Sequence, residues 1–303
     1  MFIVPSVKLN SGALVPAVGF GTWAGLSVQG REASIAWILT ALKAGYRHID
    51  TAQMYGTEHA VGEAIRQSGI PREQFFVTTK LPWNHPGRVK ESLDESLKNA
   101  GLDYYDLYLI HWPQVLAYEE PKNEDGSTKL AVNPPSLSET WAEMESVLAT
   151  GKVKNIGVSN FSIKTLEPIL KTAKVVPAVN QVELHPYLAQ NDLLAYCKDK
   201  GIAIAAYSST GWAPVRNDPT MLAIASKYGV SPARIALAWH LSRGTIAVTA
   251  SKNIERQKEN KDLPTLASED IQAINALDKG QRLCKGPGPE GKIVGWTLEQ
   301  LGW

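Results

Sequence analysis

GYRHIDTAQMYGTE, residues 45–58, decides how the chain is read. Gly45 stands where a helical pattern ends, the place where a residue without Cβ relieves a left-handed turn. HID (48–50) reads as a short strand, and a new helical pattern opens at residue 58. Asp50 closes the strand, and Tyr55 follows five residues later. Alone, Asp50 reads equally well as a solvated loop carboxylate and Tyr55 as a rim aromatic.

The same strand-to-helix unit recurs along the chain. Strand patterns fall at 18–22, 48–50, 75–80, 107–111, 156–160, 179–184, 203–208 and 246–250. Helical patterns fall at 28–44, 58–68, 88–100, 136–150, 163–173, 189–200, 232–242 and 268–277. The strands are apolar on both faces, which implies a parallel sheet covered by helices. Eight units predict closure into an α/β barrel of the (β/α)8 TIM type rather than an open sheet. No shift in composition marks a linker, so residues 1–303 read as one domain. KLNSGALVPAV (8–18) reads as an N-terminal β-hairpin turning at Ser11-Gly12. Two long loops, the polar stretch 114–134 and the Gly/Pro-rich C-terminal loop 280–303, fall where function often resides.

Composition excludes several classes of function. The 31 basic and 30 acidic residues give a net charge of +1, which offers no bulk attraction to nucleic acid or an anionic membrane. No apolar run approaches the ~20 residues of a membrane span. The first ten residues lack a secretory pattern, and the last three are not a targeting tripeptide, so the expectation is cytoplasmic. Cys197 and Cys284 have no metal-site spacing, and neither a metal nor a disulfide is expected. Cys197 lies in a helical pattern and is expected buried, Cys284 exposed. The Asn160-Phe161-Ser162 sequon is irrelevant in such a compartment.

Lys80 ends the third strand pattern and His111 the fourth. A barrel places consecutive strand ends on one face, so Asp50, Tyr55, Lys80 and His111 are expected to converge. A Lys ammonium beside a phenol favours phenolate and is expected to lower the Tyr55 pKa from its usual ~10. Asp50 would hold Lys80 charged. Tyr55 can then give a proton to a carbonyl oxygen that His111 orients by a hydrogen bond. Each residue alone has a bland structural reading; four compatible residues on three successive strand ends favour the site. GFGTWAG (19–25) imitates a dinucleotide fingerprint, but no helix opens on its glycines, so an open-sheet dehydrogenase is the weaker reading.

With these residues in view, the chain resembles the aldo-keto reductases, in their aldose- and xylose-reductase-like branch. LNSGALVPAVGFGTW, GYRHIDTAQMYGTEHAVGEAI, VTTKL, LDYYDLYLIHWP, GKVKNIGVSNF and VVPAVNQVELHPYLAQNDLLAYCKDKGI carry the likeness in family order. The resemblance implies a monomeric barrel enzyme that reduces aldehydes and ketones with NADPH, with NADH as an alternative. It implies Asp50, Tyr55, Lys80 and His111 as the catalytic tetrad. It implies Ser159, Asn160 and Gln181 at the nicotinamide carboxamide, Tyr207 stacked on the ring with Ser208 beside it, and Thr22 and Trp23 at the mouth. Ser251, Lys252, Asn253, Arg256, Glu259 and Asn260 would grip the adenosine end. A cofactor-sensing regulatory subunit with little turnover, as in channel-associated members, is the alternative.

Four departures stand out. Ala250-Ser251-Lys252 replaces the usual Pro-Lys-Ser, and the run to Arg256 is one residue short. SSTGWAPVRNDPTM (208–221) is short for a loop that straps the cofactor. Pro82 precedes Trp83, which implies that Trp83 is displaced from the pocket. Thr57 stands where Asn is usual. Trp23, Trp83, Trp112 and Trp296 are the expected substrate wall together with Tyr55 and His111; Trp212 is a further candidate. Such a wall suits an uncharged carbonyl compound, and sugars also pack on aromatic faces.

Overall fold

The computed structural model describes residues 4–120, 122–123, 126–284, 286–288 and 290–303. Two short strands come first, β1 (Ser6–Lys8) and β2 (Leu14–Pro16), paired antiparallel. The barrel strands follow: β3 (Val18–Gly21), β4 (His48–Asp50), β5 (Phe76–Leu81), β6 (Leu107–Ile110), β7 (Ile156–Ser159), β8 (Val179–Glu183), β9 (Ala203–Tyr207) and β10 (Ile246–Thr249). They pair in chain order and close through a parallel β10–β3 contact, the expected (β/α)8 architecture.

The helices are α1 (Val28–Glu32), α2 (Ser34–Lys43), α3 (Glu58–Ser68), α4 (Val89–Ala100), α5 (Leu137–Leu148), α6 (Ile163–Thr172), α7 (Asn191–Asp199), α8 (Trp212–Arg216), α9 (Pro219–Tyr228), α10 (Pro232–Ser242), α11 (Ile254–Glu259), α12 (Ser268–Asn275) and α13 (Leu298–Leu301). The pattern at 28–44 is two helices rather than one, broken at Ala33. Helix α9 falls outside the helical patterns, although its cap is written in the sequence: the Asp218 carboxylate accepts from Thr220 N, and Pro219 takes the first helical position. The stretch 114–134 carries antiparallel bridges, Leu116 to Leu130 and Lys122 to Thr128. A last pair, β11 (Lys292–Ile293) and β12 (Trp296–Thr297), lies in the C-terminal loop.

The hairpin explains why only one end of the barrel is open for chemistry. Leu9 and Val15 are buried against Phe76, Leu107, Val179 and Ile246, residues at or near the starts of β5, β6, β8 and β10. Burying each such side chain contributes on the order of 1.5–3 kcal/mol, so the hairpin seals the N-terminal end as a plug. The strand C-termini are left to build the site. Outside the strands, a large apolar layer including Ile38, Leu42, Ile65, Leu93, Trp141, Leu166 and Trp239 fixes the helices against the sheet.

One glycine sets a helix spacing. A Cβ on Gly62 of α3 would lie 1.7 Å from the Ala100 carbonyl oxygen that ends α4. That oxygen also accepts from Arg66 Nη1 at 3.2 Å, so it cannot swing away freely. Gly62→Ala is expected to cost about 3 kcal/mol or more through overpacking. A shift of the urea midpoint to lower concentration measures it; an unchanged midpoint would show that the two helices separate at no cost.

Candidate active site

Strand register brings the reactive groups together. Asp50 closes β4, Lys80 is the last residue but one of the neighbouring β5, and His111 follows β6. Lys80 Nζ lies 2.6 Å from Asp50 Oδ1 and donates to the Thr51 carbonyl at 2.8 Å. Gln181 Nε2 donates to Asp50 Oδ2 at 2.6 Å, so both carboxylate oxygens are engaged from opposite sides of the barrel. Lys80 is fully buried and Asp50 nearly so. Burial alone would lower the Lys80 pKa, but the Asp50 and Tyr55 charges outweigh it, and the ammonium is held above its ordinary value.

Tyr55 is delivered by the 3-10 turn Gln53–Tyr55, which Gly56 ends at φ 65°, a left-handed value suited to glycine. The ring is packed on three sides. Lys80 Nζ sits 5.0 Å from its centroid, His111 meets it edge-on at 5.7 Å, and Trp23 does so at 5.3 Å. This enclosure corrects the expected titration. Burial raises the Tyr55 pKa, Lys80 pulls it back only in part, and the net direction is up. The phenol is therefore held protonated through the neutral range, ready to donate.

A second network frames the mouth. The Asn160 side-chain amide donates to the His111 carbonyl at 2.9 Å and to Ser159 Oγ at 3.2 Å. Tyr207 OH donates to Asn160 Oδ1 at 2.7 Å, and Ser159 Oγ donates to the Gln181 carbonyl at 2.8 Å. Ser159, Asn160, Gln181 and Tyr207 thus form one connected rim. Asn160 and Ser208 hold left-handed backbones, φ 66° and 51°, where β7 and β9 turn out into loops. Thr22 is buried, bonded to the Asp50 carbonyl and to Thr57, whose hydroxyl also meets Thr51 at 3.1 Å. Thr57 is a spacer between two strand ends, a role its position in a loop did not signal.

The adenosine-end residues stand elsewhere, on the segment after β10. Lys252, Arg256 and Glu259 are exposed, Ser251 is half-buried and Asn260 is buried. Asn253 caps α11, its Oδ1 accepting from Arg256 N at 3.0 Å. Gln257, not singled out in the sequence, ties the segment down through bonds to the Trp37 and Ser251 carbonyls, both at 2.9 Å. The stretch 208–221 is not a bare loop: it contains α8 and opens α9.

Of the tryptophans named for the wall, Trp83, Trp112 and Trp296 share a cluster, whereas Trp23 packs on Tyr55. Trp83 packs on Trp112 at 6.4 Å, so Pro82 does not remove it from the cluster. Trp303 joins Trp112 at 6.0 Å, and Trp296 packs against the same group with Ile293 and Leu301. Gln114 Nε2 donates to the Ile293 carbonyl at 2.9 Å, fastening the tail there. Trp212 instead opens α8 and is exposed. Cys197 is buried, which pushes its thiol up to about 11; Cys284 is exposed. Among the described residues no group of His, Cys, Asp and Glu is arranged to hold a metal ion. Among them no helix is long and apolar enough to cross a membrane.

Comparison with known proteins agrees with this geometry. The model of the aldo/keto reductase family matches residues 17–279. Glycerol 2-dehydrogenase (NADP(+)) of Saccharomyces cerevisiae is 44% identical over 286 residues, covering 90% of each chain. The aldose reductase of Encephalitozoon cuniculi is 40% identical over 297 residues, covering 94% of this chain and 97% of its own. The solved aldose reductase of Schistosoma japonicum superposes with a TM-score of 0.85 at 33% identity, over 92% of this chain and 94% of the other. With the match spanning barrel and site alike, the chain belongs to the aldo/keto reductase family.

Proposed function

We propose that the protein reduces an aldehyde or ketone to the alcohol with NADPH, reversibly, with Tyr55 as the general acid. The observation that carries this reading is the buried Lys80–Asp50 pair beneath a protonated, enclosed phenol with His111 edge-on to it. Tyr55 gives its proton to the carbonyl oxygen as negative charge gathers there. Lys80 stabilises the phenolate left behind, Asp50, itself fixed by Gln181, holds Lys80 in place, and His111 orients the carbonyl. In oxidation the phenolate takes the proton back.

The mouth residues fit a nicotinamide cofactor by their chemistry. Ser159 Oγ and Gln181 Oε1 supply acceptors for a carboxamide, and the half-buried Tyr207 ring is pinned beside them. When bound, reduced nicotinamide supplies the hydride. Exposed Lys252 and Arg256 offer positive charge to a 2′-phosphate, which favours NADPH, with NADH as the second choice. Arg256→Ala is expected to weaken NADPH about tenfold, the loss of one charge-assisted hydrogen bond, and NADH by less than about twofold. Fluorescence titration with both cofactors measures this; equal losses would mean that Arg256 does not meet the phosphate.

A small, uncharged carbonyl substrate suits the Trp83–Trp112–Trp303 wall. A monomer in the cytoplasm, without nucleic-acid or membrane partners, fits the near-neutral charge. The relatives are named as a dehydrogenase and reductases, which gives the regulatory-subunit alternative no support. The deciding experiment is oxidation of NADPH and NADH against a panel of aldehydes, ketones and aldoses. Turnover with NADPH and at least one carbonyl class is expected. A folded, NADPH-binding protein without turnover across the panel would sink the reading.

A further inference from the structure

Glu183 ends β8, two residues after Gln181, and is fully buried with its neighbour His185. A buried charge needs partners, and two of the three here come from 100 residues away. Glu183 Oε1 accepts from Leu283 N at 2.6 Å, Cys284 N at 2.9 Å and His185 Nε2 at 3.0 Å. Burial opposes the charge, but His185 and the two amides more than offset it, and the group stays carboxylate. The chain just before Leu283 is fastened to the same loop: Lys279 N and Gln281 N donate to the Tyr187 carbonyl at 3.2 and 2.9 Å. Glu183 stands opposite Tyr207 in the β8–β9 register, so the docked segment is tied to the strand end next to the Tyr207 rim, and Arg282 stacks on Trp303 at 3.4 Å.

We propose that Glu183 is a positioning residue for substrate recognition: its buried carboxylate docks the Leu283–Cys284 backbone at the Tyr207 strand end, next to the Trp303–Trp112 cluster, and so fixes one wall of the pocket. The inference rests on the carbonyl-reductase reading of the site. It predicts a specific kinetic split. The wall meets the substrate, whereas Tyr55, Lys80 and the Ser159–Asn160 rim are held by other bonds. Loss of the dock therefore raises KM for the carbonyl and spares the chemical step and cofactor binding.

Glu183→Asp withdraws the acceptor by one methylene while keeping the charge. KM for a bulky aryl aldehyde is expected to rise about tenfold, with kcat within about threefold and the NADPH Kd within about twofold. Glu183→Gln keeps an accepting oxygen and is expected to bring KM back to within about threefold of the parent. Leu283→Pro removes one donor from the tail side and leaves the barrel untouched, so the same KM rise is expected even where Glu183→Asp folds poorly. Parent-like KM in both Glu183→Asp and Leu283→Pro would overturn the proposal. So would a Glu183→Gln variant no better than Glu183→Asp, or equal losses in KM and NADPH affinity. If the unaltered protein turns over no carbonyl, the underlying reading fails first, before any variant is compared.

Discussion

Tyr55→Phe is expected to lose about 10³-fold in kcat for carbonyl reduction while binding NADPH within about twofold of the parent, because a positioned general acid supplies on the order of 10²–10⁴ in rate. The substitution removes one oxygen and leaves the ring that Trp23, His111 and Lys80 enclose. The pocket therefore keeps its shape, and any loss belongs to the proton. Burial holds the phenol protonated above the ordinary tyrosine value. Reduction by the parent should accordingly be insensitive to pH across the neutral range and decline only on the alkaline side. A Phe variant that keeps a tenth of the parent kcat would remove Tyr55 from the role of acid. Single-turnover measurement with NADPH in excess separates this from slow product release.

How much of this was legible in the sequence follows from where the information lies. Asp50, Lys80 and His111 could be found because barrel strands are short and each reactive residue ends or follows one; strand order alone then makes them neighbours. The hairpin, the eight strands and the closure were readable for the same reason, since each unit repeats a local pattern. Interactions that join distant loops were not. Gln181 was expected at the carboxamide, yet its amide also completes the Asp50 shell at 2.6 Å, across the barrel. Glu183 carried no signal, since two of its three partners are backbone amides 100 residues on. The direction of the Tyr55 shift was missed because a charge argument needs only Lys80. The dominant effect is burial, and that depends on how Trp23 and His111 pack. The separation of α1 from α2 was likewise invisible, for Ala33 is a good helix former placed at a junction.

The Lys80–Asp50 pair poses the sharper test, because the same bond serves stability and chemistry. Lys80→Met fills a similar volume and leaves Asp50 buried with Gln181 as its remaining side-chain donor. Breaking a buried pair from one side costs about 3–5 kcal/mol, since an uncompensated charge stays behind. Denaturant unfolding should show that loss. Carbonyl reduction should fall about 10²-fold or more as well, because the phenolate that forms on Tyr55 loses the cation 5.0 Å from its ring. The double variant Asp50→Asn/Lys80→Met separates the two roles. With the carboxylate gone, no buried charge is stranded, and the carboxamide oxygen that replaces it can still accept from the Gln181 amide. Stability should recover most of the loss, as paired replacement of buried ions commonly allows. Activity should not recover, because nothing then stabilises the phenolate. If the double variant regained turnover together with stability, Lys80 would be a structural ion and not a partner of Tyr55. If neither recovered, the strand ends themselves would depend on the pair, through the Lys80 bond to the Thr51 carbonyl that ties β5 to the turn carrying Tyr55.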